Sequence, residues 1–200
     1  MKSHFLTDFL MVILWTVAYV LIIVGGIKYR SERKMFMPLL AGSLNFTWEL
    51  NALISRGGYG HIAWFTLDIF IMIYNLMIIP LKKRIVYIFQ IVVFAFLFKF
   101  LFQNEHYNLM LLSSFFIAAI MAIEYLVFAK KISHQLKMPI AVTSCLGNVF
   151  AWIGYFQQSV FVEIIGGVTI VLQLIYIAYC LEESSRINVK GKKINHGGIK

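Results

Sequence analysis

Seven predominantly apolar runs, each close to the length needed to cross a bilayer, constrain this chain more than any other feature. They extend from Leu6 to Ile27, Met35 to Leu53, Ile62 to Leu81, Ile85 to Phe102, Leu109 to Phe128, Met138 to Phe156 and Val160 to Leu181. A hydrocarbon core of about 30 Å takes roughly 20 residues of helix. Barrel strands are shorter and alternate polar with apolar residues, whereas these runs are continuous, and a backbone in lipid must satisfy its own hydrogen bonds. The expected fold is an all-α membrane protein, a seven-transmembrane helical bundle over residues 1–181 with a polar, basic tail over 182–200 read as disordered or surface-bound. A soluble globule is excluded by composition: with 60% hydrophobic and only 14% charged residues, too little polar side chain remains to coat one.

The basic residues give an expected orientation. Lys28, Arg30, Arg33 and Lys34 follow the first run, Lys82, Lys83 and Arg84 the third, and Lys130, Lys131 and Lys137 the fifth, while five more occupy the tail. Fifteen of the 18 Lys and Arg thus fall on one side, with Lys2 and Arg56 on the other and Lys99 at the end of a run. The positive-inside rule then places the N-terminus outside and the C-terminus in the cytoplasm. The same placement accounts for the net charge of +9 without nucleic acid, because basic loops face an anionic inner leaflet. The first run is too long for a signal-peptide core and has no small-residue cleavage site, so it is expected to remain as a helix. The expected location is a membrane crossed several times, the plasma membrane if the source is bacterial.

Ionisable residues at membrane depth are the candidates for chemistry, since a charge there costs roughly 2.5–3.5 kcal/mol on insertion scales. Glu49 and Asp68 are the two that lie well inside runs, on either side of the short link from Ser55 to His61. Helical stripes accompany them: Asn45, Trp48 and Glu49, then Trp64, Asp68, Ile71 and Asn75, with weaker company from Asp8, Trp15 and Tyr19. Further stripes are Asn148, Trp152 and Tyr155, and Thr169, Gln173, Tyr176 and Cys180. An aromatic interior with a few polar groups is how small-molecule sites are built. For Asn75, Asn148 and Thr169 the reading is ordinary bridging between membrane helices, worth about 0.6 kcal/mol each. Asp8, Glu105 and Glu163 are read as solvated outer residues, and Glu124 as snorkelling towards Lys130 or Lys131. The five histidines are scattered with no paired spacing, no Cys/His ligand set exists, and neither a Walker loop nor a nucleophile elbow is present. No metal and no cofactor are expected, which leaves acid–base chemistry.

From Trp15 to Leu53 the sequence resembles the transmembrane terpene cyclases of fungal meroterpenoid and indole-diterpene pathways, as a bacterial-type or divergent member. The resemblance is carried by Trp15 and Tyr19, Gly26, the Met37-Pro38-Leu39 opening of the second run, and Asn45-Phe46-Thr47-Trp48-Glu49, with Trp64 and Leu67-Asp68 in the next run. It implies a metal-independent cyclase that protonates an alkene or epoxide of a polyprenyl substrate and guides the carbocation through ring closure. Glu49 matches the family's essential acid, Asp68 is the second catalytic candidate, and Asn45, Trp48, Trp64, Trp152, Gln173 and Tyr176 are the expected substrate-binding residues. Where the family has a second acid in the last span, Leu172-Gln173-Leu174-Ile175-Tyr176 places Gln173. Asp68 takes over, or the chemistry differs, or an isoprenoid lipid is bound without conversion.

The competing expectation is a non-enzymatic small transporter or lipid-binding protein in which Glu49 and Asp68 couple to a cation or proton. The partners expected on either reading are a hydrophobic polyprenyl or lipid-like molecule and the membrane lipids. A retinal photoreceptor shares the topology but needs a lysine in the last span, and there is none.

Overall fold

The computed structural model describes residues 5–29, 31, 37–103, 107–131, 136–156 and 159–196; Lys2, Arg30, Arg33, Lys34, Glu105 and Lys200 lie outside them. Among the described residues there are seven α-helices and no strands: α1 (Phe5–Lys28), α2 (Leu39–Arg56), α3 (Tyr59–Ile78), α4 (Leu81–Gln103), α5 (Tyr107–Val127), α6 (Lys137–Tyr155) and α7 (Val160–His196). Six of them are long and apolar enough to cross a membrane, which makes this a multi-pass membrane protein. The exception is α2, where Ser43, Asn45, Thr47, Glu49 and Asn51 lower the apolar content. Its polarity has a structural counterpart: α2 is enclosed by α3, α4 and α5, with Ala41, Ser43, Thr47 and Ala52 fully buried.

The helix neighbours define a closed ring in the order α1, α3, α2, α5, α7, α6 and back to α1, with α4 packed outside it against α2 and α5. The outer position of α4 suits its sequence, which presents Ile85, Phe89, Val92, Phe96 and Phe100 outward and buries Tyr87, Phe98 and Phe102. Lipid is as apolar as these side chains, so association depends on close packing and small residues rather than on the hydrophobic effect. The α1–α6 contact shows it: a Cβ on Gly147 would stand 2.8 Å from the Trp15 indole.

Local chemistry sets the helix ends. Ile79 is extended because the following Pro80 disfavours helical geometry at that position, so α3 stops at Ile78, short of the expected Leu81. Pro38 flanks the start of α2 in the same way, and α2 has no side-chain cap of its own. The Ala41 N–H instead donates to Glu124 Oε2 of α5 at 2.5 Å, placing a carboxyl at the positive end of the α2 dipole. Glu124 Oε2 is thus engaged at the N-terminus of α2, while the side chain of Lys131, one of its two expected partners, lies outside the described residues. The α2–α3 link is only Gly57 and Gly58, both at positive φ (66° and 107°), where a side chain would be strained.

Beyond Leu181 the last helix continues to His196. Two contacts support its extension: Arg186 pairs with Glu182 one turn earlier at 2.6 Å, and Glu183 meets Lys137 of α6 at 2.8 Å. Lys137, which composition alone assigns to a solvated loop, is buried; it also donates to the Ala129 carbonyl and lies over the Tyr179 ring.

Candidate functional site

A cavity of about 410 Å³ opens between α1, α2, α3, α5 and α6. Its walls are largely aromatic and aliphatic: Trp15, Tyr19, Trp48, Trp64, Phe115 and Tyr155, with Met110, Ile117 and Met121. The indole N–H groups of two of these tryptophans are occupied by hydroxyls, Trp48 donating to Ser113 Oγ at 2.9 Å and Trp64 to Thr16 Oγ1 at 3.2 Å. Those bonds fix the rings against α5 and α1. The volume falls within the roughly 300–1,000 Å³ of small-molecule sites.

One carboxyl on this wall is held by a base. Glu49, from the third turn of α2, places Oε2 2.8 Å from Nδ1 of His61. The Glu49 side chain is 6% exposed and that of His61 25%. The two-glycine link makes the pair possible, because it starts α3 at Tyr59 and so brings its first turn back beside the last turns of α2. The His61 ring lies 5.9 Å from that of Trp48 and 6.1 Å from that of Trp64, so indoles flank it on two sides.

Asp68 is placed differently. It is 2% exposed and is not part of the cavity lining. Asn45 stands at the wall and donates from Nδ2 to Asp68 Oδ2 at 2.8 Å and also to the Tyr19 hydroxyl. One amide thereby links α1, α2 and α3 and connects Asp68 to the cavity wall.

The remaining expected residues divide. Asn45, Trp48, Glu49 and Trp64 meet in the cavity together with Asp8, Trp15 and Tyr19. Trp152 does not join them; its Nε1 donates to the Glu163 carbonyl at 3.1 Å and its ring packs against Gly166, tying α6 to α7. Gln173 and Tyr176 border a separate small cleft between α5, α6 and α7 with Met121, Tyr125, Ile140 and Ser144. Among the described residues, none from α7 lines the large cavity. His61 is what sequence reasoning missed. With the helix start set at Ile62, it fell into a loop; with α3 starting at Tyr59, His61, Trp64, Asp68, Ile71 and Asn75 form one continuous stripe.

No protein-family model matches the chain, and no curated protein or solved structure matches it either.

Proposed function

We propose that this is a terpene cyclase-like membrane protein, with seven spans, the N-terminus outside and the C-terminus in the cytoplasm, that protonates an apolar polyprenyl-type molecule and lets it cyclise. The observation that carries the reading is the Glu49–His61 pair on the wall of a cavity lined mainly by aromatic and aliphatic side chains. Orientation follows from the fifteen basic residues gathered at the ends of alternate runs. The α2 helix counts as a span on this reading because its polar residues face other helices and not lipid.

The chemistry balances within the pair. Glu49, as the carboxylic acid, transfers its proton to a terminal alkene carbon or epoxide oxygen, leaving a carboxylate and a carbocation. An internal alkene attacks the cation and forms the ring bond. The faces of Trp15, Trp48 and Trp64 stabilise the moving charge, by about 2 kcal/mol or more in a desolvated setting. The final cation loses a proton to the neutral imidazole of His61, which lines the same wall, exchanges with solvent and returns a proton to the Glu49 carboxylate. Asp68 positions Asn45 and is not itself the donor.

The test uses membranes containing the protein in heavy water with a plain all-trans polyprenyl substrate. A cyclised isomer carrying one carbon-bound deuterium is expected. Cyclisation without deuterium would remove Glu49 as the proton source. A second reading, binding of an isoprenoid without conversion, is favoured because no described α7 residue lines the cavity, whereas the resembling family has an acid in that span. It predicts affinity for the substrate with no isomer formed.

A further inference from the structure

Across the cavity from Glu49 stands a polar side chain that the chemistry above does not use. In the helix ring, three places separate α2 from α6 in either direction, so the two helices face each other across the interior. Asn148 projects from α6, lines the cavity and is 4% exposed. Its Nδ2 is buried and has no hydrogen-bond partner among the described residues. Bridging between helices, the ordinary role of an asparagine in a membrane bundle, is therefore not what this N–H does. A buried donor left without an acceptor is costly, and lipid supplies none. The residues one turn either side of it on the same face, Ser144 and Ala151, do not compete for it: Ser144 Oγ is turned back to the Ala141 carbonyl at 3.2 Å, and Ala151 has no polar side-chain atom.

We infer that Asn148 is the residue by which the cavity reads its ligand. Its amide donates to an acceptor oxygen on an otherwise apolar molecule, an ether, carbonyl or hydroxyl, and so holds that end against α6. The opposite, reactive end then lies against Glu49 and His61 on α2 and α3. A pure hydrocarbon of the same length fills the same space but leaves the Asn148 donor unpaired. Asn148 is thus a specificity-determining residue, and the ligand class is an oxygen-bearing isoprenoid. The inference rests on the reading that the cavity takes a polyprenyl-type molecule, but not on any conversion of it.

The full chain, purified in detergent, is titrated with farnesyl methyl ether and with the hydrocarbon in which CH₂ replaces the ether oxygen, following the fluorescence of the cavity tryptophans. The ether is expected to bind about tenfold more tightly, the scale of one satisfied neutral hydrogen bond. In Asn148→Leu that preference should vanish while the hydrocarbon affinity is kept or improved, which also shows that the variant folds. Equal affinities in the parent protein, or a preference that survives Asn148→Leu, would overturn the inference and leave the apolar cavity reading standing. Failure of both compounds to bind would overturn that reading and the inference with it.

Discussion

Replacing Asn45 should show how far the site depends on a single amide. In Asn45→Leu two donated bonds are lost, and the buried Asp68 and Tyr19 each lose the partner that satisfied them. Hydrogen bonds between membrane helices average about 0.6 kcal/mol, with a maximum near 1.7. Leaving a buried polar group unpaired costs roughly 1–3 kcal/mol, and two such groups put Asn45→Leu at about 3 kcal/mol. Asp68→Leu removes one bond and leaves Asn45 still donating to Tyr19, a cost of about 1 kcal/mol on the same scale. With both residues replaced there is no orphaned carboxyl, so the double variant should lose only about 2 kcal/mol, a coupling of about 2 kcal/mol. Equilibrium unfolding in mixed micelles, followed by tryptophan fluorescence, measures all four corners of the cycle. Costs that add to within about 0.5 kcal/mol would refute the claim that Asp68 acts through Asn45.

Gly147→Ala places a methyl against the Trp15 indole in the α1–α6 contact, so it should destabilise by about 1–3 kcal/mol and shift the tryptophan emission; an unchanged spectrum and melting temperature would contradict the packing. For the Lys137–Glu183 pair the costs should be unequal: Lys137 is buried and Glu183 partly exposed, so Glu183→Leu should cost about 1–3 kcal/mol more than Lys137→Met in the same unfolding assay. The reverse order would mean that Lys137 is not desolvated. Orientation is open to labelling on intact cells, because the native Cys145 and Cys180 are buried and silent. A cysteine at the exposed Tyr59 should react with an impermeant thiol reagent and one at Ser31 should not; the opposite pattern would invert the topology.

Helical periodicity made much of the site legible before any coordinates. Asn45, Trp48 and Glu49, like Asp8, Trp15 and Tyr19, sit at spacings that share one helix face, and those faces do meet in the cavity. Periodicity marks a polar face but cannot say which interior seam it enters. Gln173 and Tyr176 follow the same rule and open on a different cleft, because they stand level with Tyr125 and Ile140, beyond the stretches of α5 and α6 that line the cavity. Trp152 shares a stripe with Asn148 and Tyr155, yet one residue of angular offset from Ala151 turns it towards α7. His61 was obscured by a helix start misplaced by three residues, an error that the conformational freedom of Gly57 and Gly58 invites. Glu124 and Lys137 find partners far away in sequence, a backbone N–H at the start of α2 and a carboxylate on α7, and nothing local in the sequence points to either.

On the proposed cyclase reading Glu49 gives a proton to an apolar substrate, and turnover by Glu49→Gln isolates that transfer. Membranes containing equal amounts of parent and variant are supplied with plain and epoxidised polyprenyl substrates, and cyclised isomers are quantified by mass spectrometry. General acid catalysis contributes typically 10²–10⁴-fold, so the parent should form cyclised product and Glu49→Gln, which keeps the shape but has no acidic proton, should fall to background. Undiminished product from Glu49→Gln would contradict the assignment of Glu49 as the acid, and no product from the parent with either substrate would contradict the cyclase reading itself.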